Sequence, residues 1–336
     1  MPVPYTAAKP ATSNGPATLF DASKHLAYSP PTRILTMEDL QLENTAISSI
    51  AASDPFPLLS YEAVLEHRRE LFSPKVIDNC LHRTLPGSAM LRGMAQKYTP
   101  FIQSFWNSPE VLKIVSSIAG VDLVPAMNYE ICHTNIQLGS EGLEGVRATP
   151  VTNYDNAIVE WHKDSHPFVI VVMLSDARNM EGGETVLMGG DGKTLSVRAP
   201  QMVSCLFVLQ GRHISHVALP ATNMPERITI VTSFRPRDPT LADETTNANV
   251  RGESHLTELF YQWSTYRLDN LAKRANIMAS ELRNKYAENV KKSGEDAEPG
   301  MCRTETVDYD EMKNWVEEQI KYLQQTLHEM RPLDQE

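Results

Sequence analysis

The sequence predicts an α+β protein in which an antiparallel β sandwich or barrel sits between two helical regions. Three observations predict it. Through most of 60–120, apolar residues recur at helical spacing between Ser, Pro and Gly stops. From Val121 to Phe234 the runs become short and β-branched, separated by Gly, Pro, Asn and Asp. Near Ser254 a helical stripe returns. Strands that follow one another without intervening helices exclude a parallel α/β sheet.

The elements follow in order. Residues 1–31, rich in Pro, Ala, Ser and Thr, read as a flexible N-terminal arm. Residues 32–120 read as a mainly helical support region with one short strand at 33–37. Its helices are expected at 61–72 (Ser60 as N-cap), 74–81 (Pro74 at the first position), 91–96, 100–107 and 109–119, the last closed by Gly120. Residues 121–238 form the β core. Its strands are expected at 129–138, 157–162, 168–174, 185–188, 194–198, 201–209, 214–219 and 227–234. Residues 239–336 read as C-terminal helices packing on the core. Leu256, Leu259, Phe260 and Trp263 open the first stripe, and Met312, Trp315, Val316, Ile320, Leu323 and Leu327 form the second.

The bulk numbers limit the function. The chain has 336 residues and a net charge of −11, with no basic footprint for nucleic acid or anionic membrane. No apolar run approaches the roughly 20 residues of a membrane helix, and the N-terminus lacks the features of a signal peptide, so a cytoplasmic protein is the default. Cys80, Cys132, Cys205 and Cys302 are too scattered for a disulfide framework or a C-x-x-C site.

The chemistry concentrates in Glu160-Trp161-His162-Lys163-Asp164-Ser165-His166. Positions i and i+2 of a strand share a face, so His162 and Asp164 can reach one point, and an imidazole with a carboxylate suits divalent iron. H-x-D alone is weak, because such pairs are common on wet surfaces. A third ligand would come from His213 or His216, which in one strand face opposite ways. His216, within the apolar run, is the better candidate. Two His and one carboxylate would leave coordination positions open for oxygen chemistry.

Arg227 opens an otherwise apolar strand, with Arg227, Thr229, Val231 and Ser233 alternating onto one face. A cation there is costly unless matched. A dicarboxylic cosubstrate would match it through the guanidinium fork, with Thr229 adding a hydroxyl. The plain alternative is an ion pair with Asp or Glu.

His162-Lys163-Asp164, the distal His216 and Arg227-Ile228-Thr229 together resemble the Fe(II)/2-oxoglutarate-dependent oxygenase superfamily, in particular fungal members that oxidise amino acids or secondary metabolites. Gly182 to Thr185 resembles a hairpin that many members carry. The resemblance covers 121–234. It implies a double-stranded β-helix, the jelly-roll or cupin-like fold, flanked by helices. It implies Fe(II) held by His162, Asp164 and His216, 2-oxoglutarate gripped by Arg227 and Thr229, and O2 as oxidant. Succinate and CO2 would be released as a substrate C–H bond is hydroxylated, desaturated or cyclised. Chloride would compete with Asp164 for its position, which disfavours halogenation.

Other residues have two readings each. His133, Asn135 and Gln137 share one face of the 129–138 strand, either lining a polar interior or lying on an exposed edge. Asn135 is a candidate cosubstrate contact, and His133, Gln137 and His166 are candidate substrate contacts. Residues 139–156 form a lid or an ordinary loop. The expected partner is a small molecule, with no nucleic acid and no membrane. A homodimer through the C-terminal aromatic stripe stays open. Two other functions remain: a cupin-like metal enzyme without 2-oxoglutarate, which leaves Arg227 unexplained, and a non-catalytic jelly-roll binding protein, which has no need of all four residues.

Overall fold

The computed structural model describes residues 18–85, 88–138, 159–197, 205–293 and 302–331. The chain divides into two compact units at His255/Leu256. The proposed lid at 139–156 and most of the N-terminal arm lie outside the described residues.

The first unit is built on eight strands: β1 (His133–Leu138), β2 (Val159–His162), β3 (Phe168–Met173), β4 (Thr185–Met188), β5 (Thr194–Val197), β6 (Cys205–Leu209), β7 (His216–Ala218) and β8 (Glu226–Pro236). They form two antiparallel sheets. The large sheet carries β6-β3-β8-β1 in its centre, and the small sheet is β5-β4-β7-β2. The chain crosses between sheets at nearly every connection, which is the topology of a double-stranded β-helix. The expected α+β jelly roll is therefore the observed fold.

The large sheet is longer than the sequence suggests. Ile34–Thr36 and Ile50–Ser53 extend it beyond β6, and Ser88–Leu91 and Leu81–Leu85 extend it beyond β1. The region read as mainly helical thus supplies strands as well. The expected helix at 91–96 is absent: Ala89 and Leu91 pair with Ile136 and Thr134 of β1. Gly93 then adopts φ +70, where a Cβ would come within 2.5 Å of the Tyr129 ring. Partner-strand hydrogen bonds override local helix propensity here. The strand expected from 129 starts only at His133, because Asn128–Glu130 is a 3-10 turn and Cys132 takes φ 59.

Four helices cover the large sheet's outer face: α1 (Tyr61–Leu71), α2 (Pro74–Cys80), α3 (Pro100–Trp106) and α4 (Pro109–Ala119). Ser60, Ser73 and Ser108 cap α1, α2 and α4, and Gly120 at φ 70 ends α4. No side chain of its own caps α3. Instead the buried Glu70 of α1 accepts from the Phe101 and Ile102 amides at 2.9 and 3.0 Å. Ile170, Val172, Leu206, Val208, Ile228 and Ile230 pack with Phe101, Phe105, Trp106 and Val115 in one buried cluster. Between the sheets a second cluster joins Val169, Phe207 and Leu209 to Leu187, Val197 and Ile214, with Val231 against it. Strand alternation therefore divides β8 between a helix-facing side and an inner side.

The second unit is a helical hairpin of α5 (Leu256–Ser293) and α6 (Tyr309–His328). Arg267, buried in it, donates to Thr326 Oγ1 and the Tyr322 carbonyl, each at 2.9 Å. Its guanidinium also lies 3.4 Å from the Tyr322 ring centre. The seam thus uses Gln319, Tyr322 and Thr326. The expected apolar stripe does not close it: Val316, Ile320, Leu323 and Leu327 are exposed. None of the helices among the described residues is long and apolar enough to cross a membrane.

Candidate metal centre

Register brings the candidate ligands together. On the small sheet His216 stands opposite both His162 of β2 and Leu187 of β4. Directly opposed residues share a face. Leu187 belongs to the inter-sheet cluster, so both imidazoles face the interior. Their ring centres are 4.3 Å apart. Asp164 lies just beyond the end of β2, where its amide donates to the Gly211 carbonyl at 2.9 Å. Its Oδ1 is 3.7 Å from His162 Nε2, and its Oδ2 is 3.6 Å from His216 Nε2. Ligand atoms of all three residues lie within 4.8 Å of one another.

The donor set fits a divalent ion. Asp164 Oδ2 is buried and accepts no hydrogen bond. Burial works to raise the Asp164 pKa, but His216 and His162 outweigh it and hold the carboxyl below its ordinary value. His216 Nδ1 lies 2.9 Å from the Ile214 carbonyl, an acceptor, so Nδ1 carries the proton and Nε2 turns a lone pair toward Asp164. Burial also lowers the His216 pKa, which favours the neutral ring that a metal requires. Gly211 allows this approach: a Cβ there would lie 1.8 Å from Asp164 Oδ2.

His213, the other distal histidine, is elsewhere. Its Nε2 lies 2.5 Å from Glu244 Oε2. The segment after β8 braces the H-x-D loop from outside, with the Thr246 amide on the Ser165 carbonyl (2.8 Å) and Asn249 Nδ2 on the Lys163 carbonyl (2.7 Å).

The facing sheet carries the remaining candidates. Arg227, Thr229 and Val231 of β8 stand opposite Gln137, Asn135 and His133 of β1. β1 lies between β8 and Ser88–Leu91, so it is not an exposed edge. Val231 packs against the inter-sheet cluster, which places this polar row on the inner side. Arg227 forms no ion pair with the described carboxylates, and its Nε is buried without a hydrogen-bond partner. Desolvation pulls its pKa down to about 10, far above neutrality, so the half-buried guanidinium stays a cation that no described carboxylate matches. Thr229 is buried beside it. His166 is buried two residues past Asp164, near Glu130.

Sequence reasoning missed Gly211, Arg92 and Glu130. Arg92 is fully buried and pairs through Nη2 with Glu130 Oε1, while its Nη1 lies 3.2 Å from His133 Nδ1. Burial first, then Arg92, holds the His133 pKa down at about 3. Glu130 carried no signal, because strand alternation would have set it opposite in face to His133.

No family model matches the chain, and no curated relative does. Solved structures do. One is a Burkholderia pseudomallei oxidoreductase of the 2OG-Fe(II) oxygenase family (12% identity, 50% of this chain and 77% of that one, TM-score 0.36). A second is a Pseudomonas putida prolyl-4-hydroxylase (17% identity, 53% and 89%, TM-score 0.33). A third is HygX from Streptomyces hygroscopicus with nickel and 2-oxoglutarate bound (11% identity, 53% and 80%, TM-score 0.35).

Proposed function

We propose that this protein is an Fe(II)- and 2-oxoglutarate-dependent oxygenase that oxidises a C–H bond of a small molecule. The observation that carries the proposal is a pairing across the two sheets: an inward His162–Asp164–His216 cluster and, on the opposite inner face, the half-buried Arg227, which no described carboxylate pairs. In this reading the three side chains hold the iron, which with 2-oxoglutarate and O2 supplies the oxidising power. Asp164 contributes the charge, and the Ile214 carbonyl fixes His216 in the ligating tautomer. Arg227 takes the far carboxylate of 2-oxoglutarate in its fork, with Thr229 and Asn135 alongside. Leu187, opposite His216, belongs to the apolar cluster between the sheets and gives the iron an apolar flank. The substrate is an amino acid or a secondary-metabolite intermediate, turned over in the cytoplasm.

The test is Fe(II)-dependent release of succinate from 2-oxoglutarate without added substrate. Slow, oxygen-dependent release that His216→Ala abolishes is the expected result. Iron binding with no succinate at any 2-oxoglutarate concentration would favour a metal enzyme of another kind. A homodimer through the exposed Val316–Leu327 stripe accompanies the proposal. Sedimentation should show a dimer that Leu323→Glu disperses, and a monomer at every concentration would remove it.

A further inference from the structure

The H-x-D ligands stand on a lightly held part of the jelly roll. β2 has four residues and is the outermost strand of the small sheet among the described residues. It meets β7 at His162–His216 and Val159–Ala218, and the register slips between those pairs. Asp164 lies beyond the strand. Its carboxylate oxygens face His162 and His216, and Oδ2 accepts no hydrogen bond. The peptide framework around Asp164 must therefore set where the carboxylate stands.

A segment that follows the jelly roll holds that framework. The Lys163 carbonyl accepts from Asn249 Nδ2 at 2.7 Å, and the Ser165 carbonyl accepts from the Thr246 amide at 2.8 Å. The residues on either side of Asp164 are thus both tied to this segment. Glu244, two residues before Thr246, holds the loop of the distal histidine. Its carbonyl accepts from Arg212 Nε at 3.0 Å, and its carboxylate lies 2.5 Å from His213 Nε2. Arg212 adjoins Gly211, whose carbonyl accepts the Asp164 amide. One segment therefore spans both ligand loops. It has a fixed shape of its own. Thr245, Thr246 and Asn247 are buried, and the Thr246 hydroxyl accepts from the Ala248 amide at 3.1 Å. The Asn247 carbonyl accepts from the Val250 and Arg251 amides at 3.1 and 3.0 Å. Such local closure shapes a short segment without strand or helix.

We propose that residues 244–249 are a positioning strap for the metal, with Asn249 as its positioning residue. Glu244 grips the distal-histidine loop, Thr246 and Asn249 grip the H-x-D loop, and together they hold Asp164 where His162 and His216 converge. This role rests on the metal reading of those three residues and on no particular oxidation. The strap supplies no ligand itself. When the His213 contact is lost, the Glu244 carbonyl still holds Arg212. The Asn249 amide is exposed, so its removal disturbs no core packing and tests the strap cleanly.

The experiment is titration of the full chain with Co(II), followed by visible absorption, with chelator competition for affinity and a thermal melt of the metal-free protein. Asn249→Ala should weaken Co(II) binding by about tenfold, the lower end for loss of a ligand's support. It should also alter the ligand-field bands of the bound ion and leave the metal-free melting temperature unchanged. Asn249→Gln keeps the amide donor and should recover most of the affinity. Arg212→Ala, the second variant, should weaken binding severalfold. The double variant should lose less than the product of the two, because both bonds act through one strap. Asn79→Ala removes an exposed amide bond of the same kind on α2, from Nδ2 to the Lys75 carbonyl at 2.7 Å, and should change nothing. Wild-type affinity and bands in both Asn249→Ala and Arg212→Ala overturn the strap. A loss of affinity that tracks a fall in metal-free melting temperature, with unaltered bands and no recovery in Asn249→Gln, overturns it too. So does an equal loss in Asn79→Ala. Succinate release with every variant binding like wild type overturns the strap alone. The expected variant series without succinate release overturns the oxygenase reading alone, and a wild type that binds no Co(II) overturns both.

Discussion

Gly211 shapes the candidate metal centre without offering a ligand. Its missing side chain leaves the space that Asp164 Oδ2 occupies, 1.8 Å from where a Cβ would stand. Gly211→Ala must push the carboxylate aside, and metal affinity should fall by about 10–100-fold, the usual cost of disturbing a ligand's support. Competition titration with a chromogenic chelator measures this, and an unchanged affinity would contradict the geometry. The two distal histidines give a matched pair of variants. His216→Ala should abolish tight metal binding, while His213→Ala, which loses only the Glu244 contact, should leave it within about threefold. At Arg227 the expected loss is of cosubstrate. Arg227→Ala should raise the KM for 2-oxoglutarate by about 100-fold, with Arg227→Lys intermediate because it keeps the charge and loses the fork. A KM unchanged in both variants would remove Arg227 from the cosubstrate site.

At the scale of elements, the helical cover on the large sheet carries its own pH dependence. His67 of α1 is wholly buried and touches the rings of Phe101, Phe105 and Trp106, with Nδ1 2.8 Å from the Ala63 carbonyl. Burial drives its pKa down to about 4. The folded pKa lies below the unfolded one, so this ring's contribution is fully present above the unfolded value of about 6.5. It is lost as pH falls from there toward 4, on the order of 3 kcal/mol in all. Denaturant melts from pH 7 to 4 should show that slope, and a folded His67→Leu variant should flatten it. An equal slope in both proteins would place the acid sensitivity elsewhere. These helices were legible because Ser60, Pro74 and Gly120 are local signals. Leu91 and Tyr129 misled because their states depend on distant partners: Leu91 pairs with Thr134, and Tyr129 precedes the φ 59 kink at Cys132. The site divides in the same way. His162, Asp164, His216 and Arg227 stand out by residue type and alternation. Gly211, Arg92 and Glu130 act through approaches between segments far apart in the chain, which no local pattern records.

For the whole molecule, every residue of the candidate site belongs to the unit that ends at His255. Ligands that bind only the folded state should therefore stabilise that unit by linkage. Metal with 2-oxoglutarate at about 100 times Kd adds roughly 2.7 kcal/mol, enough to move a melting transition by several degrees. Scanning calorimetry should show 2-oxoglutarate raising Tm only when metal is present, and no such rise in His216→Ala. A metal-independent rise would separate the two sites. The net charge of −11 makes nonspecific anion capture a poor explanation for any such effect.

If one chamber holds iron and 2-oxoglutarate together, anaerobic titration of the metal-free protein with Fe(II) and then 2-oxoglutarate, followed by visible absorption, will show it. The expected result is the weak charge-transfer band of an iron-bound 2-oxo acid, absent in His216→Ala and requiring far more 2-oxoglutarate in Arg227→Ala. Normal iron binding with no band at saturating 2-oxoglutarate would contradict it.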